Sequence, residues 1–248
     1  FKSNDIVVAN LETTLAGEPY SGYPLFSAPD ALAESLKKAG VNYLMTANNH
    51  ACDKGKLGII RTLQVLDSLH ISHTGTFASL EERSRRNVLL IEKNGLRVVL
   101  LNYTYGTNDI PIPKPTFVNL LNKELMSEDL AEAKQLNPDK IIAFVHWGNE
   151  YERLPNDWQK QMAHYLFSEG VDFIIGSHPH VLQPFEYFIL PKQEQNAMDP
   201  QHREKILVYS LGNFMSNQRG RYKDGGAMVK IVLQKDNNGN VTIKEHGY

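Results

Sequence analysis

The sequence predicts an α/β fold built on a layered sheet, and three observations predict it. Short apolar runs alternate with helical stretches; the strand runs are continuously apolar; and polar motifs recur just after the strand ends. A strand with one wet face would alternate apolar and polar residues, so unbroken apolar runs belong to a sheet covered on both faces.

Taken in order, Asp5–Ala9 (DIVVA) reads as a buried strand. Asp30–Ala39 reads as a helix opened by Pro29-Asp30, with Leu32 and Leu36 on one face and Gly40 closing it. Val41–Thr46 is the next strand, and Gly58–Leu69 a helix with Ile59, Leu63 and Leu66 on one side. Val88–Glu92 and Arg97–Tyr103 flank Asn94-Gly95, a pair that accepts the positive φ values a two-residue hairpin turn requires. Ser127–Gln135 is helical, Lys140–His146 (KIIAFVH) a strand, and Trp158–Ser168 a helix stopped by Gly170. Val171–Gly176 and Ile206–Ser210 are further buried strands, and Ala227–Gln234 with Val241–Glu245 form a closing hairpin. Thr104–Val118 and Pro191–Arg203 read as surface loops, neither long enough for a domain linker. With no internal repeat or low-complexity segment, residues 1–248 read as one domain. The chain opens at Phe1 without a start Met, so it is expected to be trimmed at the N-terminus and at the C-terminus as well.

A net charge of −2 supplies no general basic field, so nucleic acid is not an expected partner. Cys52, the single cysteine, cannot form an intrachain disulfide and excludes a Cys-type zinc site; a lone Cys most often packs as a small buried hydrophobe. No apolar run approaches the roughly 20 residues that span a bilayer.

The polar motifs carry the chemistry. Asn10-Leu11-Glu12 follows the first strand and Asn48-Asn49-His50 the second. His146-Trp147-Gly148 follows KIIAFV, Gly176-Ser177-His178-Pro179-His180 follows VDFII, and Ser210-Leu211-Gly212-Asn213-Phe214 follows ILVY. In open α/β sheets, ligands sit beyond the carboxyl ends of the strands, so five such ends point to a shared functional site. Individually each motif has a plain structural explanation: Asn-Asn-His can be a turn, and His-Trp-Gly a packing corner. His178-Pro179-His180 is sharper, because the proline is expected to hold two imidazoles in extended geometry on one side. Imidazole, carboxylate and amide oxygen together suit a divalent ion such as Zn²⁺, Mn²⁺ or Fe²⁺. His70, His73, His164, His202 and His246 lack strand-end placement and read as unrelated to the site.

In order and over nearly the whole chain, these motifs resemble those of the CapA-type bacterial capsule-synthesis proteins, associated with making or exporting poly-γ-glutamate. That family in turn resembles the calcineurin-like metallophosphoesterases. The resemblance implies a four-layer α/β/β/α sandwich with two divalent ions (Mn, Zn or Fe) at the strand ends. It implies Asn49, His146, His178 and His180 as metal ligands, with Asn10 or Glu12 where the phosphoesterases place a bridging Asp, and His50 as proton donor. It places one further ligand, an Asp, ahead of Phe1. Such ions activate water and stabilise an in-line displacement. Arg153, Arg219 and Arg221, with Lys223, are candidates for holding an anionic substrate, although surface cations are more often simply solvated.

Three functions remain open on this reading. One is a metal-dependent hydrolase acting on a phosphoester or an amide of an anionic polymer. Another is a non-catalytic, polymer-binding scaffold working with membrane capsule-synthesis proteins. The third is a cytoplasmic phosphoesterase. The resemblance favours an extracytoplasmic protein, membrane-associated through an upstream segment.

Overall fold

The apolar runs become strands, and the periodic stretches between them become helices that cover those strands. The structure is a computed structural model, and it describes residues 1–190 and 202–248. Its internal contacts divide the chain into two compact units, one of Phe1–Leu89 with Leu101–Leu125, the other of Leu90–Leu100 with Met126–Tyr248.

The first unit holds a three-stranded parallel sheet in the order β1-β2-β3, from β1 (Val8–Asn10), β2 (Tyr43–Met45) and β3 (Ser72–Thr74). The crossovers are α1 (Ala31–Ala39) and α2 (Gly55–Ser68). Gly40 ends α1 at φ 110°, a left-handed conformation that L side chains resist, and its N–H closes onto Leu36 and Lys37 carbonyls. Leu44, Leu66, Ile71 and Leu15 pack into one core cluster, Ile59, Leu63 and Cys52 into another. Each such aliphatic side chain contributes about 1.5–3 kcal/mol on burial. A short pair, β4 (Thr76–Phe77) with β7 (Phe117–Val118), and the helix α3 (Leu80–Arg86) complete the unit. The stretch expected as a loop at Thr104–Val118 therefore ends in a strand, held by backbone pairing of Phe117 and Val118 with β4. The opening strand also lies later than expected, at Val8–Asn10 rather than Asp5–Ala9, because Val7 instead bonds Asn42 and Tyr43 through its carbonyl.

The second unit is organised by a six-stranded sheet in the order β10-β11-β9-β8-β6-β5. Its strands are β5 (Leu89–Lys93), β6 (Leu96–Thr104), β8 (Lys140–His146), β9 (Phe173–Ser177), β10 (Phe185–Ile189) and β11 (Glu204–Val208). The β5–β6 turn has Asn94 at φ 52° and Gly95 at φ 77°, the pair of positive values expected there. β8, β9 and β11 are mutually parallel, while β10 closes the edge antiparallel to β11. The helices α4 (Lys123–Gln135) and α5 (Asp157–Ser168) lie in the crossovers, α5 started by a capping box between Asn156 and Gln159. The hairpin β12 (Lys230–Lys235) with β13 (Val241–Gly247) sends Ile231, Leu233 and Ile243 against the cluster of Phe173, Ile175, Ile206 and Val208. Of the expected surface loop Pro191–Arg203, residues 191–201 lie outside the described residues. Among the described residues no helix is long and apolar enough to cross a membrane.

Candidate metal centre

In the second unit, the carboxyl ends of β8 and β9 deliver three histidines to one place. His146 is the last residue of β8 and His178 directly follows β9. Their ring centroids are 4.9 Å apart, and His178 is 6.0 Å from His180. Glu150, His178 and His180 each offer a ligand atom within 4.8 Å of the others. His146 and His178 are buried, at 1% and 6% exposure.

Local packing sets this geometry. The Trp147 indole donates to the Tyr209 carbonyl (2.9 Å), pinning the end of β8 to the chain leaving β11. A Cβ at Gly176 would sit 2.1 Å from that same carbonyl oxygen, so only glycine passes there. His146 Nδ1 meets Ser177 Oγ at 2.8 Å, and His180 Nδ1 meets Asn213 Oδ1 at 2.9 Å. The Asn213 amide nitrogen donates to the Lys223 carbonyl at 2.8 Å and to Gln218 at 3.2 Å, which turns its oxygen toward the imidazole. Nδ1 of His180 thus carries the proton, and Nε2 is the nitrogen suited to ligation.

The His-Pro-His segment is not extended as expected. His178 has φ 100° and His180 φ 58°. Proline restricts its own φ and disfavours the helical region before it, but it does not hold the following residue extended. The loop reverses here, with the Pro179 carbonyl accepting from Tyr151 N–H at 2.8 Å. Non-glycine residues in such conformations cost about 1–3 kcal/mol each and cluster at functional sites.

The first unit presents the other predicted residues. Asn10 ends β1 and donates to Glu12 Oε2 at 3.1 Å. Asn48 ties the following loop down, donating to the Leu11 carbonyl (2.8 Å) and accepting from His50 N–H (3.0 Å). Asn49, buried, donates to Asn108 at 3.1 Å. His50 Nδ1 lies 2.7 Å from Asp53 Oδ2, and the Phe26 ring stands edge-on to the imidazole at 4.4 Å. Asp53 also accepts from Phe26 N–H at 2.7 Å, so the carboxylate is fixed before it orients the histidine.

Several contributors were not singled out from the sequence. Asp53 and Glu150 sit inside motif loops, three residues past His50 and four past His146, yet those spacings alone assign no role. Asn213 lay in a flagged strand-end motif, but its partner His180 is 33 residues away. Cys52 is buried and its thiol is pushed up to about 11, chiefly by that burial, in keeping with the small buried hydrophobe expected from the sequence.

The predicted cations also belong to the second unit, on exposed loops. Arg153 and Arg221 both stack on Tyr222, their guanidinium carbons 4.2 and 4.7 Å from the ring centroid. The Lys223 ammonium lies 4.0 Å over Tyr151, which stacks on His180 at 6.0 Å. Arg219 lines a cleft of about 240 Å³ with Asn213, Gln218 and Lys223.

Comparison with known proteins adds the lineage. Residues 1–218 match the model of the bacterial capsule synthesis protein family PGA_cap. The chain belongs to that family. It is 27% identical over 244 residues to a capsule biosynthesis protein CapA of Bacillus anthracis, covering 94% of this chain and 56% of the relative. It is 29% identical over 210 residues to a PGA biosynthesis protein CapA of Bacillus subtilis, covering 84% of this chain and 51% of that one. This PGA_cap chain therefore spans about half the length of the curated relatives it matches. In fold, it resembles a putative 5'-nucleotidase from Staphylococcus aureus solved with alpha-ketoglutarate (TM-score 0.59, 14% identity, 98% of this chain and 45% of that one). It likewise resembles the NAD nucleotidase of Haemophilus influenzae (TM-score 0.57, 13% identity, 97% and 45%). The fold is thus of the metallophosphoesterase-like α/β class expected from the sequence. A donor set of imidazole nitrogens and a carboxylate fits a divalent ion of the Mn–Zn range, and the second unit holds such a set in Glu150, His178 and His180.

Proposed function

We propose that this PGA_cap chain is a metal-dependent hydrolase in capsule synthesis, acting on a phosphoester or an amide of an anionic polymer. The observation that carries this reading is the convergence of His146, His178 and His180, with rings 4.9 and 6.0 Å apart at the carboxyl ends of parallel strands. Two divalent ions, Mn, Zn or Fe, would supply an activated water and stabilise the charge of an in-line displacement. His146, His178 and His180 act as ligands, and family resemblance adds Asn10, Glu12 and Asn49 to that set. Ser177 and Asn213 hold the His146 and His180 rings in place. His50, oriented by Asp53, gives a proton to the leaving oxygen. Arg153, Arg219 and Arg221 hold the anionic substrate. By resemblance, the protein works outside the cytoplasm, attached to the membrane by a segment upstream of Phe1 and alongside membrane capsule-synthesis proteins.

The test is turnover of p-nitrophenyl phosphate by the purified chain supplemented with Mn²⁺, Zn²⁺ or Fe²⁺, with His178→Ala as control. Metal-dependent turnover that disappears in His178→Ala is the expected result. Turnover equal in the two proteins, or none with any of the ions, would overturn the hydrolase reading.

A further inference from the structure

Two glutamines of the second unit lie buried beside the loop that leaves β8: Gln159 on the first turn of α5, and Gln183 three residues past His180. A buried amide is costly unless its polar atoms find partners, so the bonds of this pair show what it is for. Gln159 Nε2 donates to Gln183 Oε1 at 2.9 Å, while Gln159 Oε1 accepts from Asn156 N–H at 3.0 Å. The Gln183 amide nitrogen donates to the Glu152 carbonyl at 2.8 Å and to the Leu154 carbonyl at 3.3 Å. Gln183 is itself tied to the chain leaving β11, its N–H donating to the Ser210 carbonyl at 3.2 Å. The pair therefore joins the loop after β8 to the segment that carries His178 and His180.

These contacts fix the backbone on either side of Glu150. Before it, a Cβ at Gly148 would sit 2.6 Å from the Gln159 side chain, so the chain passes there as glycine, at φ 87°. After it, Tyr151 N–H donates to the Pro179 carbonyl at 2.8 Å, inside the His178-Pro179-His180 reversal, and Gln183 holds the Glu152 carbonyl. The two acids of the loop are engaged differently. Glu152 accepts from Asn149 at 3.1 Å, whereas Glu150 carries an oxygen within 4.8 Å of ligand nitrogens of both His178 and His180. Two neutral imidazoles leave the charge of a divalent ion uncompensated, and a carboxylate beside them offsets half of it. Glu150 is exposed, and on an unbraced loop its backbone would have to order before it could reach an ion. Anchors at Gly148, Tyr151 and Glu152 put most of that ordering into the folded state beforehand.

We infer that the buried Gln159–Gln183 pair is a positioning device that holds Glu150 as a third protein ligand on the ion bound by His178 and His180. This rests on the metal-binding part of the proposed function and requires no turnover.

The experiment titrates Zn²⁺ alone, in competition with a chromophoric chelator, into the whole chain and its variants. Glu150→Gln keeps the size of the side chain and removes its charge, and should weaken one Zn²⁺ equivalent by about 100-fold or more. Gln183→Met fills similar space without hydrogen bonds, and should weaken the same equivalent by roughly 10–100-fold. Gln183→Asn is milder and should fall between Gln183→Met and wild type. A merely structural role for the pair would give the same fold loss with or without Glu150. Acting through Glu150, Gln183→Met should instead add no more than about twofold in the Glu150→Gln background. Losses that multiply in the double variant would overturn the positioning role. Should thermal melting show Gln183→Met to be unfolded, Gln183→Asn in the two backgrounds gives the same comparison. Zn²⁺ affinity unchanged in Glu150→Gln, beside a wild type that binds tightly, would overturn this inference alone. A wild-type chain that binds no Zn²⁺ would overturn the metal reading and this inference with it.

Discussion

The parallel strands β8, β9 and β11 carry polar groups at both ends, and the two ends treat them differently. At the amino ends, Lys140, Asp172 and Lys205 are each fully buried. Asp172 accepts from Ile141 N–H at 2.8 Å, lies 3.4 Å from the Lys205 ammonium, and meets His202 Nδ1 at 3.0 Å through both oxygens. Lys205 also donates to the Val171 carbonyl at 2.7 Å. At the carboxyl ends, His146 at the end of β8 meets His178, and His178 and His180 lie beside Glu150 on a reversed, left-handed loop. Burying charge is tolerable only where partners satisfy it, so the closed amino end specifies how the strands assemble. Histidines gathered on strained backbone do little for assembly and instead present donors to a ligand. His202, read from the sequence as unrelated to the metal site, belongs to the first kind of network.

That contrast can be broken most decisively at Asp172. Asp172→Ala leaves the Lys205 ammonium buried without its carboxylate, and should cost about 3–5 kcal/mol in denaturant unfolding. Metal bound per folded molecule should stay the same. A loss well under about 1 kcal/mol would mean the amino end is not the structural one.

His178→Ala reverses the pattern. Bound metal, measured by elemental analysis after dialysis, should disappear, while unfolding stability moves by only about 1 kcal/mol. Full metal retention would remove His178 from the ligand set.

A subtler separation concerns Asn213, whose Oδ1 meets His180 Nδ1 at 2.9 Å. Asn213→Ala frees that ring and should weaken metal affinity by about 10–100-fold in a competition titration. Asn213→Asp, which keeps an acceptor facing Nδ1, should retain more affinity than the alanine variant. Identical affinities in all three proteins would show that the Asn213 contact does not prepare His180.

The smallest effect is a pH dependence at the amino end. Burial lowers the Lys205 pKa from its usual 10.5, with Asp172 opposing that shift. Between the folded value and 10.5, the unfolded chain binds more protons than the folded one. The contribution of Lys205 to stability should therefore rise with pH across that window and be lost as pH falls through the folded value. Subtracting the unfolding stability of Lys205→Met from that of wild type at successive alkaline pH values isolates it. A difference that shrinks with rising pH would contradict the desolvation account.

Elements with long, one-sided patterns were legible without the structure: β8 spans the expected Lys140–His146, and α1 and α5 begin within a residue of expectation. β3, β4 and β7 were not legible: they are two or three residues long and, unlike the equally short β1 and β2, do not lie within longer apolar runs. α3 was missed because it buries none of its residues and so shows no apolar face. Its start signal was present all the same: Ser79 Oγ accepts from Glu82 N–H at 3.1 Å, and Glu82 reaches back to Ala78 N–H at 2.6 Å. The edge strand β10, Phe185–Ile189, was likewise not read from the sequence; it follows directly on Pro184, a turn-favouring residue.

By itself, the sequence determined which residue types stand at the carboxyl ends of which strands, because strand runs and the polar residues following them are both local features. His146, His178 and His180 were placed this way, as were Asn10, Asn49 and His50. Tertiary structure alone decided which of those residues meet and what aims them. The bond from His180 to Asn213 joins positions 33 apart, and the contact of His146 with Ser177 joins positions 31 apart. The left-handed turn at His178 and the stacking of Arg153 and Arg221 on one tyrosine are likewise products of loop closure. No local propensity encodes these pairings. They exist because burying β8, β9 and β11 side by side leaves their following loops only a few ways to satisfy their backbone polar groups.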